Sequence, residues 1–337
     1  MTPSAPHLRI AIAGASSLRG KEVATLVEER FPVADLRLLD DEVADGVLTE
    51  AGGEPVVIQG TNEESFDGCR FAFFTGAREF TARHWQQATR AGATVIDLSG
   101  ALRSELGAIA WIPALRAKLP SPQAPSGKHK VYSSPSASAI IACTLATALK
   151  DAPVERLAIV FFQPVSERGD AGIQELESQT VSLLSLKPIS QELYGSQVAF
   201  NLLGSYGAAP GETLAGVRTE LAAAVAAYLD GRIPVPRIQL VQAPVFHGCA
   251  FTALVECAAS CQPVDLEIEL EAAGIHMAES STDAPSNISV AGESQIAVAR
   301  IERDAASESA FWLWGAADNL RLAAANALSI AETLLAS

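Results

Sequence analysis

The chain has 337 residues, 49% of them apolar and 19% charged, with a formal net charge of −15. That balance supports a large buried core, argues against disorder, and makes nucleic acid and anionic membranes poor partners. No window holds the roughly 18 uninterrupted apolar residues of a membrane-spanning helix, and Met1–His7 lacks the pattern of a signal peptide, so the expectation is a cytoplasmic protein.

Leu8–Ala13 reads as an apolar strand, and Gly14-Ala15-Ser16-Ser17-Leu18-Arg19-Gly20 follows it. A helix comes next, with Val23, Leu26 and Val27 on one face. Leu36–Leu39 is a second strand, ending at Asp40, Asp41 and Glu42. Arg70–Phe74 and Ala93–Leu98 are further strands, with a helix over Thr81–Arg90 between them. Strand–helix alternation with short loops implies a parallel sheet covered on both faces.

Residues 118–130, rich in Pro, Ser, Gly and Lys, read as a surface connection. Tyr132-Ser133-Ser134-Pro135-Ser136-Ala137-Ser138 then reads as a strand end, a turn and a helix start, with Ser136 or Ser138 as the cap of an apolar helix over 139–149. The free N–H groups of such a terminus hold anions and lower a thiol's pKa, so a nucleophile would be at home there. Leu157–Phe162 is a strand; Ser166–Asp170 is a polar turn in which Arg168 and Asp170 pair with each other, occupy a cleft or stay solvated. A helix through Ile173, Leu176 and Leu183 and another over Leu214–Leu229 follow.

Two long strands, Arg237–Phe246 and Cys249–Ala259, are separated by Gly248. Residues 279–293 read as a loop, Ile296–Ile301 and Ala310–Trp314 as strands, and Leu320–Leu335 as an amphipathic helix. Long strands with few intervening helices imply a mixed, largely antiparallel sheet in this half. Cys69, Cys143, Cys249, Cys257 and Cys261 show no CxxC spacing, which fits reduced core thiols and no metal site.

The first loop keeps Gly14 and Gly20 but carries Ser17 between them. It reads either as a dinucleotide-binding turn or as a tight βα turn without a ligand. Asp40, Asp41 and Glu42 would repel a 2′-phosphate yet accept bonds from a free ribose, which favours NAD over NADP. His247 and Cys249, two apart on a strand, would point the same way and form a thiolate pair; a small buried Cys249 is the alternative.

GASSLRG, VIDLSGALR, SSPSASA, FFQPVSERGDAGIQELESQT, AFNLL, QAPVFHG and ADNLR follow in that order. Together they resemble the aspartate-semialdehyde dehydrogenase family over nearly the whole chain. AFNLL, QAPVF and the SSP turn resemble its Usg-type paralogues, which lack the catalytic cysteine. The resemblance implies an α/β protein. A Rossmann-like parallel-sheet domain over 1–134, joined by the C-terminal helix 317–337, would bind NADP or NAD. An α+β dimerisation and catalytic-type domain with a mixed sheet would cover 135–316.

The family reaction is reductive dephosphorylation of β-aspartyl phosphate through a cysteine thioester. Its Asn-Pro-Asn-Cys motif falls on Ser134-Pro135-Ser136-Ala137, and a methyl group cannot form an acyl-enzyme. The orienting glutamine matches Gln163; the substrate arginine and the catalytic histidine fall on Gln242 and Cys249. The acid–lysine pair falls near Val217 and Glu220. Arg103 matches an arginine that binds substrate or phosphate, and Asn319 an asparagine near the nicotinamide. Gly14, Ser16, Ser17, Leu18, Gly20 and Asn319 would line the cofactor.

Three readings stand. One is a catalytically degenerate relative kept as a ligand-binding or interaction homodimer. A second is an active NAD(P)-dependent oxidoreductase with altered chemistry, positioned by Arg103, Gln163 and Asn319. The third is an interaction protein with a vestigial ligand site.

Overall fold

A computed structural model describes residues 8–41, 48–51, 54–105, 107–120, 130–208, 211–258, 261–280 and 282–336. Glu42 and residues 121–129 of the expected connection lie outside them. The chain divides into two compact units, one of Met1–Arg116, Pro120–Ser136 and Ala323–Ser337, the other of Ala117–Leu119 and Ala137–Leu322.

The first unit is an α/β layer. Strand β1 (Arg9–Ala13) leads into helix α1 (Leu18–Arg30) and strand β2 (Asp35–Leu39). A hairpin of β3 (Leu48–Ala51) and β4 (Glu54–Val57) follows. Then come β5 (Phe71–Phe74), α2 (Arg78–Arg90), β6 (Thr94–Asp97), β7 (Ile109–Ala110) and β8 (Val131–Ser133). The six-stranded sheet runs β2-β1-β5-β6-β8-β7 with every pairing parallel.

Its strands are continuous apolar runs because both faces are buried. Ile10, Ile12, Phe71, Phe73 and Ile96 face Val23, Leu26 and Val27 of α1 and Leu328, Ile330 and Leu334 near the C-terminus. Ala11, Ala13, Ala72, Phe74 and Val95 face Phe80 and Ala88 of α2. The hairpin and the two-residue strand β7 carry little apolar signal, and sequence periodicity does not find them.

The second unit opens with α3 (Ala137–Ala148), all twelve residues of which are buried. Long β9 (Val154–Gln163), α4 (Gly169–Leu184), α5 (Leu214–Leu229), β10 (Arg237–Gln242) and β11 (Cys249–Cys257) follow. Next are α6 (Pro263–Ala272), β12 (His276–Met277), β13 (Ala297–Val298), β14 (Glu302–Arg303) and β15 (Ala310–Ala317). Helix α7 (Asn319–Leu335) begins here and supplies the C-terminal apolar stripe of the first unit.

The sheet is mixed, in the order β10-β9-β11-β15-β13-β12, with β14 also on β15. The expected strand Arg237–Phe246 stops at Gln242, and β10 and β11 do not pair with each other. Both flank β9, parallel and antiparallel respectively. The segment between them crosses the end of β9, where Ala243 N bonds Gln163 O at 2.9 Å and Ser166 N bonds Phe246 O at 3.1 Å. The expected strand Ile296–Ile301 is only β13, with β14 separate from it.

Along β9 and β11 burial alternates. Leu157, Ile159, Phe161, Phe251, Ala253 and Val255 are buried, while Ala158, Val160, Phe162, Thr252 and Leu254 are half-buried. Trp312 and Trp314 of β15 pair with Leu254 and Thr252, remain 42% and 39% exposed, and extend that second apolar face. All five cysteines are free and buried, as their spacing implied. No helix among the described residues is long and apolar enough to cross a membrane.

Candidate functional site

In the first unit the loop after β1 is drawn tight. Gly14 has φ +89°, and a Cβ there would lie 2.2 Å from Gly76 N, so neither the backbone angle nor the space admits a side chain. Ser17 caps α1: its hydroxyl accepts from Gly20 N at 3.0 Å and donates to Gly14 O at 2.7 Å. The serine between the two glycines therefore closes the turn on itself. Leu18 is the first helical residue, and Gly20 is buried against the loop.

Ser16 turns to the end of β2. Its N–H and hydroxyl both bond Asp40 Oδ2, at 3.1 and 2.5 Å, and Asp40 is 4% exposed. Burial raises the Asp41 carboxyl, but its bonds to His84 Nε2 at 2.8 Å and to Thr61, whose N–H donates at 3.1 Å, together outweigh burial and hold it below the usual range. Of the three carboxylates expected to meet a ribose, Asp40 and Asp41 thus already hold protein groups. Arg37, the cation on β2, spends Nη1 on the carbonyls of Glu64 and Ser65. These residues do not fit a cofactor's 2′-phosphate.

Asp97 ends β6 wholly buried and builds the next turn, accepting from Ser99 N (2.8 Å), Ser99 Oγ (2.6 Å) and Leu102 N (2.9 Å). That turn presents Arg103. Its guanidinium and that of Arg78 both reach over Gly100, and Arg19 Nη1 bonds Leu98 O at 3.4 Å. Three arginines thus meet one turn. The sequence singles out Arg103 but not Arg19 or Arg78, whose only signals are their places at the starts of α1 and α2.

In the second unit Ala137 is the first residue of α3, 1% exposed. Ser138 is not the cap: it lies inside the helix, and its hydroxyl is 3.7 Å from Cys249 Sγ. Cys249 is fully buried, and desolvation, then the nearby Glu167 carboxylate, push its thiol up to about 12. The expected pairing of Cys249 with His247 does not form. Gly248 turns the chain with φ +81° just before β11 begins, leaving His247 exposed while Cys249 points inward.

Gln163 and Gln242 are register partners at the ends of β9 and β10. Gln242 Nε2 donates to Gln163 O (2.9 Å) and Ala243 O (3.2 Å), and its Oε1 accepts from Tyr206 OH (2.9 Å). Its amide is spent on the turn. The Gln163 side chain is 6% exposed and makes no hydrogen bond among the described residues. Asn319 starts α7: its Oδ1 accepts from Gly248 N at 3.0 Å and its Nδ2 donates to Ser166 Oγ (3.1 Å) and Glu167 Oε1 (3.0 Å).

Ala137, Gln163, Gln242, Cys249 and Asn319 all belong to this unit, and Arg103 and the glycine loop to the other. Val217 and Glu220 lie on α5, where Glu220 is half-buried. Arg168 does not pair with Asp170 but with Glu212, Nη1 to Oε2 at 3.2 Å. Among the described residues no group of three or more His, Cys, Asp or Glu is placed to hold a metal.

Two family models match the chain. The semialdehyde dehydrogenase NAD binding domain covers residues 9–121, and the semialdehyde dehydrogenase dimerisation domain covers residues 145–322. A USG-1 protein homolog of Pseudomonas aeruginosa is 32% identical over 97% of this chain and 98% of its own. Aspartate-semialdehyde dehydrogenase 2 of Vibrio cholerae is 28% identical over 98% of each chain. Among solved structures, a probable aspartate-semialdehyde dehydrogenase from Pseudomonas aeruginosa superposes with TM-score 0.85 at 30% identity, covering 98% of both chains. Aspartate semialdehyde dehydrogenase II from Vibrio cholerae, complexed with ASA, gives TM-score 0.86 at 26% identity over 99% of both.

Proposed function

The chain belongs to the semialdehyde dehydrogenase family, and from that premise we propose that it has lost the thioester chemistry and is retained as a ligand-binding homodimer. In this reading residues 1–134 with the helix 317–337 are the nucleotide-binding half, and 135–316 the dimerisation half. The protein is cytoplasmic.

One observation carries the reading. At the position that corresponds to the family's base stands Cys249, sealed at 0% exposure against Ser138, with a thiol pushed up to about 12. A neutral buried thiol neither attacks a carbonyl nor takes a proton at neutral pH. The nucleophile position is the methyl of Ala137, and the amides of Gln242 and Asn319 are bound within the protein. The homodimer is supported by the dimerisation-domain match and by the second apolar sheet face, where Phe162 lies 6.1 Å from Trp314.

The test is an assay of the purified protein with aspartate semialdehyde, phosphate and NADP or NAD. We expect no turnover above the uncatalysed rate, from the native chain or from Ala137→Cys, because restoring the thiol does not restore the base. Turnover by the native chain would sink the proposal. Sedimentation at micromolar concentration tests the dimer, and a monomeric mass would remove it.

A further inference from the structure

We propose that Arg168 is a carboxylate-binding residue of the second unit, and that Glu212 occupies it as an internal carboxylate which a small organic acid displaces. The inference deepens the ligand-binding reading above and rests on it.

Arg168 closes the short 3-10 turn Val165–Arg168 that follows β9. Its guanidinium lies over the ring of Tyr206, Cζ 5.8 Å from the centroid, which fixes the plane of the fork. Its side chain is only 17% exposed. A guanidinium has five N–H donors, and among the described residues the one hydrogen bond that Arg168 makes is Nη1 to Glu212 Oε2 at 3.2 Å. The remaining donors of this half-buried cation are open to a group that offers more than one oxygen. Glu212 itself shows which oxygens suit it: a carboxylate's.

Two features make that carboxylate replaceable. The contact is single rather than bidentate, and Glu212 is 41% exposed, just before the Thr213 cap of α5. A ligand that engages both nitrogens of the fork outcompetes it. The surroundings are polar in the right places. The Tyr206 hydroxyl is tied to Gln242 Oε1 at 2.9 Å, which holds the ring under the guanidinium. Tyr194 packs edge-on to Tyr206 at 5.2 Å, is wholly buried, and its hydroxyl has no partner among the described residues. That orphan hydroxyl beside the stacked arginine is the second sign that the site takes a polar guest.

The test is calorimetric titration of the full-length protein with succinate, a simple dicarboxylate, and with inorganic phosphate as the contrasting anion. Arg168→Ala is expected to weaken succinate binding at least about tenfold. Glu212→Gln is expected to strengthen it by roughly three- to tenfold, because the internal competitor loses its charge. The opposite signs separate a binding role from a packing role, in which both variants would lose affinity together. Weaker or unchanged binding by folded Glu212→Gln overturns the proposal, as does a preference for phosphate or an absence of succinate binding by both the native chain and Glu212→Gln. Should Arg168→Ala fail to fold, Glu212→Gln decides alone. Turnover in the dehydrogenase assay strikes only at the proposed function; the binding signs strike only at Arg168 and Glu212.

Discussion

The hydroxyl of Ser138 lies 3.7 Å from the thiol of Cys249, and neither residue is more than 2% exposed. The contact joins the first turn of α3 to the first residue of β11. Because the thiol is neutral and sealed, Cys249 should resist disulfide and alkylating reagents in the native protein at neutral pH. Mass mapping should find it labelled only after unfolding. Fast native labelling of Cys249 would mean that the enclosure opens, and would return it to the list of candidate nucleophiles.

The same burial predicts alkaline lability. Cys249 is held up to about 12 from an ordinary 9.0, by desolvation first and by Glu167 second. A raised acid keeps its proton longer folded than unfolded. Its contribution is whole below pH 9.0 and is lost as pH climbs through about 12. Cys143 is raised by burial as well, and Cys257 to about 11, by burial and then by Cys261. Stability should therefore fall from about pH 9 upward, by on the order of 1 kcal/mol per pH unit for a fully buried thiol. Cys249→Ala should flatten that slope in denaturant titrations; an unchanged slope would count against the enclosed thiol.

Asn319 ties the end of β15 to the turn after β9. It satisfies Gly248 N and reaches Ser166 Oγ and Glu167 Oε1 at once. Asn319→Ala leaves a buried N–H unpaired and should cost about 2–3 kcal/mol in denaturant unfolding. Asn319→Asp should cost more, since it sets a carboxylate against Glu167. If Asn319→Ala instead unfolds like the native chain while weakening NADH binding, the residue serves the nicotinamide and not the turn.

The fold was readable in the sequence because its signals are local and periodic. Continuous apolar strands such as Phe71–Phe74 announce a sheet covered on both faces, and alternation along Leu157–Phe162 announces one with a second, half-buried face. The contacts of the candidate site residues were not readable in the sequence. The i, i+2 spacing of His247 and Cys249 promised a pair; Gly248 at φ +81° breaks it, and no pattern in the sequence encodes that angle. Arg168 meets Glu212 across 44 residues, and Ser138 meets Cys249 across 111. Such contacts depend on strand order, and here β10 and β11 lie on opposite sides of β9.

Ser17 provides a stability test of the glycine loop. Its hydroxyl holds Gly20 N, Gly14 O and Thr75 O together. Ser17→Ala should cost about 1–2 kcal/mol, as loss of a helix cap does. Ser17→Gly should cost clearly less than Ser17→Ala, because glycine is itself an acceptable helix cap. A change below about 0.3 kcal/mol would mean that the loop is held by Gly14 and Thr75 alone.

Cofactor choice turns on the end of β2. Asp40 is 4% exposed and clamps Ser16, Asp41 stands beside it holding His84, and Arg37 is committed to the carbonyls of Glu64 and Ser65. A 2′-phosphate arriving there would meet two carboxylates and no arginine from β2 to offset them. NADH should therefore bind at least about tenfold more tightly than NADPH, read from nicotinamide fluorescence at low ionic strength. Asp41→Ala should narrow the gap, by removing one of the repelling charges without releasing Ser16 from Asp40. Preference for NADPH would show that the phosphate is met elsewhere than at Asp40 and Asp41. Absence of binding by either nucleotide would leave Ser17 as the cap of a βα turn that holds no dinucleotide.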